Sequence, residues 1–397
     1  MLNVLELQTW PDHKKPMRIA GLFAGVGGFE RGLTKAGHES ALFCEIDEQA
    51  RAVLHEQFPG IRVKRDIREM KRLPSDVELL AAGFPCQDLS QAGETAGIKG
   101  SRSGLVAEVF RLLEKSRPRW VLLENVSFML RLNRGAAMTF ITTRLEKLGY
   151  HWAYRVVDSR SFGVPQRRKR VFLVGSLDSD PSLVLMADEA GDPTRRTRRA
   201  ASCGFYWTEG NSGLGWAVDA IPPLKGGSSF AIPSSPAIWI PGEGIVTPDI
   251  RDAERLQGLQ SDWTKPAELL GKGRHRWRLV GNAVTAPAAT WIGRRISKPG
   301  GNIVGELRSL ETSKGWPDAA FSYDGSRNQV LISHFPKRNE WPGIVEFLRF
   351  PMKPLSGKAA LGFKNRLFAS GLKYPAAFGK ELERYVRYSV SDISTEI

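Results

Sequence analysis

Two textures alternate along the early part of the chain: short apolar runs that close on glycine, proline or an acid, and amphipathic stretches that follow them. MRIAGLFAG (17–25) reads as a buried strand ending at glycine. FERGLTKAG follows, with Phe29 and Leu33 at helical spacing and Gly37 as a helix stop. ALFCEID predicts a strand and EQARAVLHEQF a helix. ELLAAGFP predicts a further strand, LVAEVFRLLEKS a helix, and WVLLENV a strand. TFITTRLEKLGY is again helical, and HWAYRVVDS and RVFLVGSL are strands. Strand alternating with helix over about 160 residues predicts an α/β fold built on a parallel sheet.

The texture changes near Ser176. Residues 177–250 hold Gly, Pro, Ser and Trp in short irregular runs, with no long helical period and with a basic cluster at Arg195, Arg196, Arg198 and Arg199. They predict a smaller, loop-rich domain. Helical texture returns at RDAERLQGL and APAATWIGRRI, and Lys298-Pro299-Gly300-Gly301 reads as a linker. The last stretch begins with short strands such as NQVLISHF and ends in LSGKAALGFKNRLFASGLKY and KELERYVRYSV, which are helix-like. The expected division is 17–176, 177–272, a returning segment 273–297, and a C-terminal extension 302–397. No internal repeat is present.

Composition adds a partner class. Of 397 residues 42% are hydrophobic and 25% charged, and the net charge is +15. Such an excess favours a polyanion, whose phosphates are neutralised with counterion release; a basic surface that binds nothing is the alternative. The three cysteines, Cys44, Cys86 and Cys203, are too sparse for a disulfide framework or zinc site and fit a reducing compartment. The histidines show no metal-ligand spacing, so no metal is expected. The first residues lack a secretory pattern, and no apolar run reaches the roughly 18 residues of a membrane span, so a cytoplasmic location without a membrane partner is expected.

Candidate chemistry sits at strand ends. Phe23-Ala24-Gly25-Val26-Gly27-Gly28 joins a strand to a helix, where glycine permits close approach of a ligand. Glu30 stands where a dinucleotide fingerprint needs its third glycine, which weakens a nicotinamide reading. Glu45 and Asp66, at the next two strand ends, suit a ribose and an adenine amine, or serve as ordinary helix caps. Cys86, in GFPCQDLS, is a candidate nucleophile or a small buried apolar group. No histidine lies between His55 and His151 to act as a nearby base, which points away from hydrolysis and toward addition to an electron-poor ring. Glu124 closes the strand WVLLENV, and the QRRKR run (166–170) is either a set of oxygen-binding guanidinium groups or a solvated loop.

Taken together, FAGVGG, PCQDLS, ENV, QRRKR, RLQGL (255–259) and GNAV (281–284) resemble, by motif and by order, the cytosine-5 DNA methyltransferase family. The resemblance covers roughly 17–297. It implies a Rossmann-like, mostly parallel class I methyltransferase sheet, a smaller target recognition domain between QRRKR and RLQGL, and the cofactor S-adenosyl-L-methionine. It implies that Cys86 adds to cytosine carbon 6 and that Glu124, carrying a proton, holds ring nitrogen 3. Arg170, with Arg168, would bind the base carbonyl and organise the loop. Phe23, Gly25, Gly27, Glu45, Ile46, Asp66, Ile67, Pro85, Leu105, Asn282 and Val284 would hold the cofactor. Gln87 and Ser90, with Arg195, Arg196, Arg198 and Arg199, would contact DNA.

The substrate implied is a specific double-stranded DNA sequence, its target cytosine flipped out because ring carbons are unreachable in the stack. The setting is restriction-modification, with a possible cognate endonuclease, or a solitary bacterial-type methylase, nucleoid-associated and monomeric on DNA. Two alternatives stand beside it: a tRNA cytosine-5 methyltransferase of the same family, and a catalytically silent DNA-binding regulator that keeps the fold.

Overall fold

The computed structural model describes residues 16–85, 104–193, 201–211, 213–226, 235–271, 275–313, 315–341 and 343–391. Its large lobe opens with β1 (Arg18–Leu22), α1 (Gly28–Lys35), β2 (Glu39–Cys44), α2 (Glu48–Gln57), β3 (Arg62–Lys64), β4 (Leu79–Ala82), α3 (Gly104–Ser116), β5 (Trp120–Val126), α4 (Ala136–Lys147), β6 (His151–Asp158), β7 (Lys169–Ser176) and α5 (Ser182–Leu185). The small lobe holds β8 (Cys203–Phe205), β9 (Ala217–Val218), β10 (Ala237–Ile240), β11 (Gly244–Thr247) and α6 (Ile250–Leu256). Then come α7 (His275–Asn282), α8 (Ala286–Ser297), β12 (Glu306–Ser309), β13 (Ala319–Tyr323), β14 (Ser326–Leu331), α9 (Ile344–Phe347), β15 (Lys353–Pro354), α10 (Gly357–Phe368) and α11 (Ala376–Ser391).

Ten strands form one sheet in the order β12-β14-β13-β6-β7-β5-β4-β1-β2-β3. The half from β3 to β5 is parallel, as the strand–helix alternation implies. From β7 outward every pairing is antiparallel. Side chains alternate between two layers, the period of two that a buried strand imposes. Ala20, Leu22, Leu80, Ala82, Val121 and Leu123 pack under α3 and α4. Ile19, Leu79, Ala81, Trp120 and Leu122 pack under α1 and α8. The chain runs outward from β1 to β3 and then returns to the other side of β1 at β4. Strand order therefore reverses between β1 and β4, and the crevice outside their carboxyl ends is where open α/β sheets place ligands.

The small lobe is a second sheet, β15-β11-β10-β8-β9. Alternation recurs there: Ala237 and Trp239 face α10 and α11, while Ile238 and Ile240 face α6. The structure places the two ends of the expected 177–272 domain in the large lobe. Val184, Leu185 and Met186 are buried with α8 in the large lobe. Leu259, Trp263 and Ala267 pack on Val26 of the glycine turn and on Ala50 and Val53 of α2, also in the large lobe. Irregular local texture does not reveal which core an apolar side chain fills.

Nor is 302–397 a unit with its own core. β13 pairs with β6 and extends the large sheet, and Ala319, Ala320, Phe321 and Val330 enter its layers. Ile344, Leu355, Ala360, Phe363, Phe378 and Leu382 instead complete the small lobe. Arg155 of β6, fully buried, pins the first part in place. Its guanidinium donates to the carbonyls of Leu185 (3.0 Å), Asp188 (2.7 Å) and Ser333 (2.7 Å) and to Glu189 (2.8 Å).

Candidate active site

The first wall of the crevice is the turn after β1. Phe23, Gly25 and Gly27 all have left-handed φ, at 54°, 54° and 82°. A Cβ at Gly28 would lie 2.4 Å from the Val284 carbonyl, so only glycine lets α1 approach the returning segment this closely. Glu45 braces the turn and is nearly buried. Its Oε2 accepts from the Gly25 amide (2.7 Å) and its Oε1 from the Asp47 amide (2.8 Å). Burial raises the Glu45 pKa, and those two amides oppose the shift. Glu45 is thus no helix cap; Asp47 caps α2 by accepting from the Ala50 amide at 3.0 Å.

Ile46 beside it is 61% exposed. Asp66 does cap a short turn, accepting from the Arg68 amide (2.9 Å), and its carboxylate pairs with the Arg68 guanidinium (2.5 Å), which holds its pKa below the usual range. Ile67 is buried; Phe23 and Leu105 are partly buried against the same core.

The second wall is Glu124 at the end of β5. A Cβ at Gly83 would lie 3.5 Å from Glu124 Oε2 and 3.6 Å from Val284 Cγ2, so carboxylate, strand end and returning segment meet at one point. β5 and β7 pair with Glu124 opposite Phe172 and Val126 opposite Arg170. Glu124 and Arg170 are therefore diagonal neighbours on one face, and Arg170 Nε lies 3.0 Å from Glu124 Oε1. Asn125 faces away and donates from Nδ2 to the Phe84 carbonyl (2.9 Å), which fixes the base of the loop leading to Cys86. Pro85 is exposed at that base, and Asn282 is exposed near Gly226. Cys86, Gln87, Ser90, Arg195, Arg196, Arg198 and Arg199 lie outside the described residues.

Arg168 belongs elsewhere. It is 2% exposed and donates to the carbonyls of Leu224 (2.9 Å), Gly281 (3.2 Å) and Ala283 (2.9 Å). Burial, with the Arg170 charge second, pushes its pKa down to about 9. These bonds brace the lobe boundary, while the Arg168 Nε has no hydrogen-bond partner among the described residues. Arg170 alone of the pair reaches Glu124.

The sequence model of the family described as C-5 cytosine-specific DNA methylase matches residues 17–198. The chain is 48% identical over 382 residues to the type II methyltransferase M2.BsuMI of Bacillus subtilis (strain 168), covering 93% of this chain and 98% of that one. This protein belongs to the C-5 cytosine-specific DNA methylases. It is 36% identical over 178 residues to the type II methyltransferase M.BanI of Aneurinibacillus aneurinilyticus, covering 43% of this chain and 41% of that protein. The crystal structure of the S. pombe Dnmt2 methyltransferase superposes with a TM-score of 0.48 at 15% identity, over 71% of this chain and 97% of that chain. Membership makes this chain a DNA cytosine-5 methyltransferase. A methyl-group donor is implied by the family. No described helix is long and apolar enough to cross a membrane, and no metal-binding cluster occurs among the described residues.

Several residues of this methylase carry no signal in the sequence pattern. Gln166 is fully buried, donating to the Leu256 carbonyl (2.8 Å) and accepting from the Leu224 amide (3.0 Å). Gln257 donates to the Val280 carbonyl (2.8 Å) and accepts from Thr285 (3.0 Å), which in turn meets Ser159 (2.9 Å). Gln166 and Gln257 stand inside motifs in which the arginines are the conspicuous residues. Glu30 is 1% exposed, and a Cβ at Gly21 would overlap its Oε1; burial raises its pKa to about 8. Its Oε2 has no hydrogen-bond partner among the described residues.

Proposed function

We propose that this chain moves a methyl group from S-adenosyl-L-methionine to carbon 5 of a cytosine flipped out of duplex DNA, through a transient bond from Cys86 Sγ. The observation that carries the reading is the convergence of Glu124, Arg170 and the Gly83–Pro85 strand end on the Glu45-braced glycine turn. The residues fit the cofactor. Both Glu45 oxygens are held by amides yet keep lone pairs for ribose hydroxyls, and exposed Ile46 offers an apolar face to a purine. Phe23, Gly25, Gly27, Asp66, Ile67, Pro85, Leu105, Asn282 and Val284 would complete the pocket. When bound, S-adenosyl-L-methionine supplies an electrophilic methyl group.

The chain's own groups do the rest. The Cys86 thiolate adds to ring carbon 6, pushing electron density to carbon 5. Protonated Glu124 donates to ring nitrogen 3, where charge develops, and Arg170 holds both Glu124 and the base carbonyl. After methylation, carbon 5 loses its proton and Cys86 leaves as carbon 6 regains its double bond. Asn125 keeps the nucleophile loop in register. Gln87, Ser90 and the arginines at 195, 196, 198 and 199 would contact the DNA between the lobes. We place the enzyme in the bacterial cytoplasm, near the nucleoid, acting as a monomer, either in restriction-modification beside a cognate endonuclease or as a solitary methylase.

Duplex DNA carrying 5-fluorocytosine at the methylated site tests the chemistry, since fluorine at carbon 5 blocks the final elimination. The wild type should form an adduct stable to denaturation, and Cys86→Ala none. An adduct that survives in Cys86→Ala removes the nucleophile assignment. Label found on tRNA and not on duplex DNA removes the substrate.

A further inference from the structure

Directly after β5, at the mouth of the crevice, the turn Ser127–Leu130 holds two side chains in the main core and one outside it. Met129 and Leu130 are 3% and 2% exposed, while Phe128 is 63% exposed. The two anchors fix the backbone, so the Phe128 ring is presented and not merely loose. Arg131, Arg134 and Lys169 are exposed around it. Lys169 begins the strand that carries Arg170, and β7 packs on the Ser127–Leu130 turn. No acid stands within salt-bridge distance of these three cations among the described residues. Asp318, the acid that two of them influence, is engaged by His334 at 2.7 Å. Its pKa is lowered first by that contact and then, more weakly, by the Lys169 and Arg131 charges.

The next turn is strained outward. Asn133, Arg134 and Gly135 take left-handed φ in succession, at 47°, 56° and 83°. Non-glycine residues in that region persist only where surrounding structure holds them. The hold comes from the C-terminal extension. Trp316 packs on Gly135, where a Cβ would lie 2.4 Å from its ring, and its Nε1 donates to Thr139 Oγ1 at 3.3 Å. Trp316 is itself set against Trp152 and Tyr154 of β6.

We propose that Phe128, Arg131, Arg134 and Lys169 form a ledge that binds the DNA strand carrying the target base. The cations take its phosphates and Phe128 stacks on a base or sugar left exposed beside the flipped nucleotide. An aromatic face among unpaired cations is the combination that holds unstacked nucleic acid, and flipping creates such a stretch next to the site. The ledge lies at the same sheet edge as Glu124 and Arg170, next to them in sequence on β5 and β7, with Lys169 on the face opposite Arg170. The inference rests on the DNA-methylating reading above, and it gives the extension a purpose, because Trp316 braces the ledge.

The test uses the full-length protein, with binding read on a duplex of mixed sequence and KM on the duplex that the wild type methylates. The triple variant Arg131→Gln/Arg134→Gln/Lys169→Gln should lower the slope of log K for DNA against log salt by about 1 for each phosphate that is no longer neutralised. Phe128→Ala should raise KM for DNA about tenfold, and Phe128→Trp should restore it. Cofactor affinity and Tm should not move in either variant. Unchanged salt slope and KM overturn the ledge. So does a loss of Tm or cofactor affinity that tracks the rise in KM, because Phe128 would then pack on protein. The salt slope is read from binding alone. It therefore judges the ledge even if the wild type transfers no methyl group, an outcome that would sink the proposed function instead.

Discussion

Two polar centres lie side by side in this molecule and differ in how far their groups are satisfied. At the lobe boundary Gln166, Arg168, Gln257, Thr285 and Ser159 are buried and bond to carbonyls, amides and one another. At the crevice Glu124 and Arg170 have chiefly each other, and Glu124 Oε1 meets Arg170 without a well-aligned hydrogen bond. Buried polar groups are costly unless paired, so the more fully bonded centre, in which, among the described residues, the Arg168 Nε alone lacks a partner, fixes geometry. The under-satisfied one keeps donors and acceptors for a ligand. Arg168 and Arg170 stand two positions apart in one motif and fall on opposite sides of this divide.

That contrast can be broken by substitution. The largest effect should come from Glu124→Gln, which keeps the shape but holds nitrogen 3 less well; kcat should fall about 10²–10³-fold with Tm unchanged. A kcat within a fewfold of wild type would move the donor elsewhere. Arg170→Ala should likewise lower kcat/KM while sparing stability. Arg168→Ala should do the reverse: three buried carbonyls lose their donor, and the folded state should lose about 3 kcal/mol in denaturant unfolding. Equal stability losses in both arginine variants would erase the distinction between the two centres.

A pH-dependent effect sharpens the comparison from the cofactor side. Glu30 is a buried carboxyl whose folded pKa, about 8, exceeds its unfolded value. The folded state therefore holds a proton that the unfolded chain releases, and stability declines as pH rises from about 4.3 toward 8. Glu30→Gln should remove this decline. Its Tm advantage over wild type should be absent below about pH 4, grow up to about pH 8 and then level off. A constant Tm difference across that range would show that Glu30 is not titrating there.

Much of the parallel half was legible from local pattern. β1, β2, β4 and β5, with their helices, follow the expected strands and helices closely, because a strand buried on both faces must be apolar throughout. Other elements were not, among them β3 and α7. β3, at Arg62–Lys64, is a short edge strand without an apolar run. α7, at His275–Asn282, mixes Arg276 and Arg278 with Leu279 and Val280; Arg276 is buried because Glu254, Asp262 and Glu268 surround it. The site was partly legible. Glu45 and Glu124 announced themselves at strand ends, whereas Asn125, Gln166 and Gln257 carry no charge pattern and gain meaning only from the carbonyls they reach.

The sequence by itself determined the chemistry available: which strand ends carry an acid, a glycine turn or a thiol, and in what order. These are local facts, set by residue type and by the periodicity of short segments. The tertiary structure decided which groups meet. Glu124 and Arg170 are neighbours because β5 pairs antiparallel with β7 across a long crossover, a register no local pattern encodes. The same holds for the extension: β12 to β14 extend the β6 edge, while β15 pairs with β11 and the helices cover β8, β10 and β11. Apolar periodicity says that a face must be buried, but the partner that buries it is chosen by the whole chain.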